Sequence, residues 1–279
     1  MATEGLTEEL TSQYVQAGGI KLHYNEAGSG PALIAIHGGG PGANGWGNYD
    51  TNLGPLSEHF RTMLMDMPQF GKSDSMPIME ERSAFNATAI RDALDALDIE
   101  RVHLIGNSMG GATSIRFATM YPERLGKLIL MGPAGYAYSA YAPVLLEGIK
   151  ALNAYWTEPT RENMAHIVNL FVYEERFKTD ELIDRRHASA LAHPEHMENR
   201  RQSAPARSDL IPVAHQIEAD TLILWGREDR FSPLDHGLNL LSRIRRSQFH
   251  VFPDCGHWCQ YEKSSQFNRL VLDFLLHED

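Results

Sequence analysis

The segment HLIGNSMGGATSIRFA (103–118) sets Ser108 between glycines, directly after an apolar run and directly before a helical pattern. Its core, GNSMG (106–110), fits GxSxG and stands in the strand–turn–helix setting that the mechanics of that motif require. A sharp turn from strand to helix crowds the central residue's backbone, and glycines two before and two after remove the Cβ atoms that would collide. The turn also puts Ser108 at a helix N-terminus, where unpaired N–H groups favour developing negative charge. A serine that merely caps the helix is the plainer alternative. The context favours a nucleophile.

A hydroxyl is a weak nucleophile until a base takes its proton, so a histidine and an acid should follow. In this motif class the chain order is Ser, Asp, His. WGREDRF supplies Asp229 just past an apolar run ending at Gly226, and PDCGHW supplies His257 just past the last such run. Glu228 and Asp254 compete for the acid's role, and loop position favours Asp229. Oxyanion donors are expected from the Met109 N–H and, in the glycine-rich loop HGGGPGANGWGNY (37–49), from that of Gly39. No GK[ST] follows these glycines, which disfavours phosphate binding. Of the thirteen histidines, His187, His193 and His196 read as surface residues of a helical stretch rather than metal ligands. No metal or cofactor is expected.

These residues need a scaffold that brings three distant loops to one edge. A hairpin is expected over 14–28, around Gly18 and Gly19, and apolar runs at 32–38, 61–67, 102–106, 127–132, 221–226 and 249–254 read as buried strands. Helical patterns lie at 84–98, after Ser108, at 233–244 and at the closing EKSSQFNRLVLDFLLHED. Such alternation predicts an α/β fold, a mostly parallel sheet with helices on both faces, whose carboxyl edge collects Ser108, Asp229 and His257. Between Gly132 and about Val213 the pattern contains no strand. Helix-like segments fill it at 144–156, 160–172 and 179–192, punctuated by Pro143, Pro159, Pro194 and Pro205. The expected organisation is a core of 1–133 and 214–279, with a helical lid of 134–213 packed on it as one compact unit.

The chain's 279 residues are 43% hydrophobic, enough for a substantial core. Thirty-six acidic against 25 basic residues give a net charge of -11, which opposes binding to nucleic acid or an anionic membrane. An anionic ligand would need a local cation. Two cysteines, Cys255 and Cys259, build neither a disulfide framework nor a zinc site. The opening MATEGLTEEL lacks the basic and apolar character of a secretory leader, and no apolar run approaches 18 residues, so a cytoplasmic location is expected.

Taken together, HGGGPGA, GNSMGG, GREDRF and CGHW, with a helical insertion in the same place, resemble the α/β-hydrolase superfamily. Within it, the chain resembles the meta-cleavage product hydrolases, which break carbon–carbon bonds in aromatic degradation. The likeness covers nearly the whole chain. GxSxG marks only the superfamily, whereas HGGGPGA, Asn107 before the serine and Trp258 after the histidine are more specific. One departure is Gln69 in DMPQFGKSD, where such loops usually have glycine.

The resemblance implies an α/β-hydrolase fold with its lid after the sixth strand, no cofactor and a homo-oligomer. The implied substrate is an anionic 2-hydroxy-6-oxohexa-2,4-dienoate, cleaved to 2-hydroxypenta-2,4-dienoate and a carboxylic acid after enol-to-keto tautomerisation. His257 would move the protons with Asp229 orienting it, and Ser108 would attack C6, with direct water attack left open. Arg186 in DRRHAS is assigned to the substrate carboxylate, Arg185 being the competing reading, and Asn107 and Asn48 serve the same end. Gly38, Trp258, Phe171 and Val172 complete the implied site. Aromatic and long apolar residues in the insertion favour an aryl group at C6. A serine carboxylesterase would share the triad without needing Arg186, and a noncatalytic binding protein of the same fold would lack part of it.

Overall fold

The computed structural model describes residues 5–135, 146–205 and 209–277. Eight strands form one sheet: β1 (Ser12–Ala17), β2 (Ile20–Ala27), β3 (Ala32–Ile36), β4 (Arg61–Met65), β5 (Val102–Asn107), β6 (Leu125–Met131), β7 (Thr221–Gly226) and β8 (Ser247–Phe252). Their order is β1-β2-β4-β3-β5-β6-β7-β8. β1 pairs antiparallel with β2 and β2 with β4, and every other pairing is parallel. The hairpin turns at Gly18 and Gly19, both at positive φ. Every run expected to be a strand is one, and the sheet is the mostly parallel one that the alternation implied.

Helices cover both faces: α1 (Glu8–Thr11), α2 (Gly45–Ser57), α3 (Arg82–Ala96), α4 (Met109–Met120), α5 (Glu147–Thr157), α6 (Arg161–Phe171), α7 (Asp180–Leu191), α8 (Pro194–Gln202), α9 (Leu234–Arg243), α10 (Cys259–Glu262) and α11 (Ser264–Leu276). Side chains of a strand alternate between faces, which splits the core in two. Ile34, Leu104, Leu130 and Trp225 face one cluster with residues of α3, α4 and α9, while Leu33, Ile105, Ile129 and Leu224 face another with residues of α2 and α11. A third cluster, including Tyr155, Ile167, Phe171 and Leu182, sits among the inserted helices α5–α7 and reaches the sheet edge through Phe231 and Trp258. Pro143 and the first residues of the segment expected at 144–156 lie outside the described residues.

Two helices had no clear apolar period in the sequence. α2 contains Gly45, Gly47, Gly54 and Pro55, a composition with poor helix propensity. It forms because Asn44 caps the Gly47 N–H at 2.6 Å, Asp66 accepts the Gly45 N–H at 2.6 Å, and Tyr49, Leu53 and Leu56 are buried against the sheet. α8 buries no residue fully; it starts with Pro194 in its first turn and ends on Arg200 and Arg201, both favourable to a helix dipole. Among the described residues no helix is long and apolar enough to cross a membrane.

Candidate active site

Ser108 occupies the turn between β5 and α4 with φ 53° and ψ -111°, a conformation costly for any residue with a Cβ. The surroundings hold it there. Its N–H donates to the Met131 carbonyl (2.9 Å), and its own carbonyl accepts from Ala112 (3.0 Å) and Ala134 (2.9 Å). The flanking glycines are required by space: a Cβ on Gly106 would lie 2.4 Å from the Gly110 oxygen, and one on Gly110 would lie 2.2 Å from the Ile36 oxygen.

His257 follows β8 and Asp229 follows β7. The His257 Nδ1 lies 2.7 Å from Asp229 Oδ2, with both side chains buried. The other Asp229 oxygen accepts the N–H groups of Phe231 (2.7 Å) and Ser232 (3.0 Å), which fixes the carboxylate plane. Of the competing acids, Glu228 accepts from the Cys255 N–H and pairs with Arg227, while Asp254 is an exposed turn residue with φ 51°. Neither is bonded to the histidine. Gly132, at the end of β6 with φ 45°, leaves space for the pair, since a Cβ there would meet Asp229 Oδ2 and His257 Cε1 at 3.1 Å each.

The glycine-rich loop after β3 closes the other side. Cβ atoms built on Gly38 and Gly39 would lie 3.5 Å from Ser108 Cβ and 3.0 Å from Met109 Cβ respectively, so both backbones run against the serine turn. His37 steadies this loop: its Nε2 accepts the Met67 N–H (3.0 Å), leaving Nδ1 to donate to the Gly38 carbonyl (2.7 Å). Burial pulls its pKa below the ordinary histidine value, in keeping with a neutral ring.

Arg186 and Arg185, adjacent on α7, part ways. Arg185 is exposed and pairs with Asp50 at 3.4 Å. Arg186 is only 6% exposed, its guanidinium lies over the rings of Phe171 (5.0 Å) and Trp258 (4.8 Å), and its Nη2 would be 3.0 Å from a Cβ on Gly40. Among the described residues no carboxylate pairs with it, and its Nε has no hydrogen-bond partner. Burial, with Arg185 nearby, lowers its pKa to about 9. A charge so desolvated and unpaired is costly, and a bound anion would relieve the cost.

Phe171 stacks on both Trp258 (4.3 Å) and Phe231 (4.2 Å), and Phe231 lies 5.1 Å from the His257 ring, so an aromatic wall joins the inserted helices to the His257–Asp229 pair. Val172 is buried in the same cluster. Asn48 donates to Asn107 Oδ1 at 3.4 Å, and Asn107 Nδ2 faces the carbonyls of Met131 and His257. The two amides thus brace the serine turn against the histidine loop. Gln69, at φ 70°, receives Arg82 on its oxygen and donates to Ser203, tying its loop to the end of α8.

His187 bonds to the Tyr155 hydroxyl at 2.9 Å. His193, Glu195 and His196 place one donor atom each within 4.8 Å of one another at the start of α8, with His193 Nδ1 3.1 Å from Glu195 Oε1. Sequence reasoning passed over His37, Gly132 and Phe231. For the first two a signal existed, in the histidine that opens the glycine run and in the glycine that ends the β6 run; for Phe231 nothing distinguished it from ordinary core.

The family model described as alpha/beta hydrolase fold matches residues 31–264. A 2-hydroxy-6-oxo-6-phenylhexa-2,4-dienoate hydrolase of Comamonas testosteroni is 48% identical over 97% of this chain and 98% of that protein. A 2-hydroxy-6-oxononadienedioate/2-hydroxy-6-oxononatrienedioate hydrolase of Escherichia coli is 43% identical over 99% of both. Among solved structures, the meta-cleavage product hydrolase from Pseudomonas fluorescens IP01 is similar with a TM-score of 0.83 at 33% identity, covering 94% of this chain and 96% of that one.

Proposed function

The chain belongs to the α/β-hydrolase fold family and, within it, to the meta-cleavage product hydrolases, and from that premise we propose that it hydrolyses the C5–C6 bond of 2-hydroxy-6-oxohexa-2,4-dienoates. The observation that carries the substrate class is Arg186, a buried cation that among the described residues has no acid partner, beside the Ser108, His257 and Asp229 loops. An esterase acting on neutral esters would have no use for such a charge. A dienoate carboxylate would satisfy it with charge-assisted hydrogen bonds, in a chain whose net charge is otherwise negative.

In this reading His257 carries a proton from the substrate's 2-hydroxyl to C5, giving the 2,6-diketone, while Asp229 fixes the ring's tautomer and stabilises its charged form. Ser108 Oγ then loses its proton to His257 and attacks the C6 carbonyl. The Gly39 and Met109 N–H groups hold the oxyanion. Its collapse breaks C5–C6, and the electron pair passes through C4 and C3 to the C2 carbonyl as a dienolate, which Arg186 steadies. Protonated, that product is 2-hydroxypenta-2,4-dienoate. Water, deprotonated by His257, releases the remaining acid from Ser108. Asn48, Asn107 and Gly38 shape the dienoate end, and Trp258, Phe171 and Val172 wall the pocket. The wall of Phe171, Phe231 and Trp258 supports an aryl group at C6.

The inserted helices act as the lid, over 134–213. A cytoplasmic homo-oligomer is the remaining part of this reading, its location supported by two buried, unpaired cysteines that suit a reducing compartment. The test is a panel of dienoates that differ only at C6, aryl, alkyl and carboxyalkyl, followed by loss of their visible absorbance. Turnover of the aryl member with kcat/KM above that of simple aryl esters is expected. Faster ester than dienoate hydrolysis would overturn the proposal.

A further inference from the structure

Glu262 is a buried carboxylate for which the chemistry above has no use. It ends α10, five residues past His257, and is 3% exposed. Its Oε1 accepts the Gly256 N–H at 2.7 Å, while Oε2 accepts those of Tyr173 at 2.7 Å and Glu174 at 3.0 Å. One side chain therefore joins the residue before His257 to the turn that leaves α6. Beside it, the Phe171 carbonyl takes the His257 N–H itself at 2.8 Å. The Phe171 ring is the one that stacks on Trp258 and faces Arg186.

An ionised carboxylate offers acceptors on both oxygens, whereas a protonated acid or an amide turns one of them into a donor. Three N–H groups converging from two segments are matched only by the ionised form. We propose that ionised Glu262 is a positioning residue for catalysis: it fastens the His257 loop to segment 171–174 of the insertion and so fixes the imidazole relative to Ser108 and Arg186. It acts through these backbones, without touching substrate, and the proposal rests on His257 being the proton carrier.

The charged and titratable groups around it are Lys263 on the next residue, Glu174 from the insertion, which pairs with both Lys263 and Arg176, the buried thiols Cys255 and Cys259, and Asp229. Burial raises the Glu262 pKa above the ordinary carboxylate value, against the pull of its three N–H partners and Lys263. A carboxyl raised in the fold favours folding in its protonated form and loses that contribution as pH rises through the folded pKa. A neutral amide removes the cost of a buried charge at neutral pH but sets a donor against at least one of the three N–H groups, so its structural effect is local to the two segments joined here. Its cost should fall on the rate.

The experiment is Glu262→Gln in the full chain, with three readouts. At neutral pH kcat should fall about tenfold or more with KM within about threefold, since a misplaced base costs the chemical steps rather than binding. The acid limb of the wild-type kcat profile should lose its Glu262 component in the variant. Without substrate, hydrogen exchange at Gly256, Tyr173 and Glu174 should accelerate together, while α4 stays protected. Wild-type exchange at those amides, an unchanged kcat, or a loss confined to Tm would each overturn the proposal. The exchange readout involves no turnover, so a His257→Ala variant that still turns over would remove the functional reading without altering the exchange result.

Discussion

Among the described residues, two buried histidine–aspartate pairs each lie beside a half-buried serine. At the antiparallel end of the sheet, Ser12 Oγ lies 2.9 Å from His23 Nε2, and His23 Nδ1 lies 2.8 Å from Asp66 Oδ2. At the carboxyl edge, Asp229 and His257 are 2.7 Å apart beside the Ser108 turn. The histidine–aspartate geometry is nearly the same, yet the settings differ. Ser12 opens an edge strand with ordinary extended backbone, and Asp66 is consumed by structure, accepting also the N–H groups of Gly45 and Lys72. Ser108 is held at a strained φ before a twelve-residue helix, against two glycine backbones, and the neighbouring His257 ring meets an aromatic wall that carries an arginine with no carboxylate partner among the described residues. The histidine–aspartate pair is common to both; a strained serine, glycine backbones packed against its turn and a buried arginine belong to one.

Substitutions made in parallel sharpen this contrast. Ser108→Ala should lower kcat at least about 10³-fold while dienoate binding, followed by its absorbance, persists. Asp229→Asn should cost about 10²- to 10⁴-fold in kcat with little change in stability, because the histidine tautomer is no longer fixed. Asp66→Asn should do the opposite, costing about 3–5 kcal/mol in urea unfolding, as expected for breaking a buried pair, with kcat per folded molecule within about threefold.

Acid unfolding tests the same residue. Burial raises the Asp66 pKa, but the hydrogen bond and charge of His23, with the Gly45 N–H, outweigh it, and the net direction is down. A depressed carboxylate contributes stability above its unfolded pKa and loses it as pH falls through the lower folded value. Wild-type stability should therefore fall steeply below the ordinary carboxylate range, and Asp66→Asn should flatten that limb. The smallest effect belongs to Ser12→Ala, within about twofold in kcat and about 1 kcal/mol in stability. An activity loss there comparable to that of Ser108→Ala would end the distinction between the rows.

The strands were legible because continuous apolar runs such as ALIAI and TLILW are what a sheet buried on both faces demands. Ser108, Asp229 and His257 were legible because each sits just past such a run. α2 was not, since its helix depends on Asp66 and on packing supplied by residues distant in sequence. The same limit hid the Ser12–His23–Asp66 row and the reach of Glu262 to Tyr173. Arg186 could be named beside Arg185, but which one turns inward is set by the packing of α7 on Phe171 and Trp258.

Arg186→Gln tests on two substrates at once whether the buried cation serves the substrate's carboxylate, as it would in a dienoate hydrolase and not in an esterase. Removing one partner of a buried charge contact costs about 2–5 kcal/mol, so kcat/KM for a 6-aryl dienoate should fall about 30-fold or more. Hydrolysis of a simple aryl ester, which offers the arginine nothing to hold, should change by less than about threefold. Equal losses on both substrates, or a selective loss that appears in Arg185→Gln instead, would contradict the account.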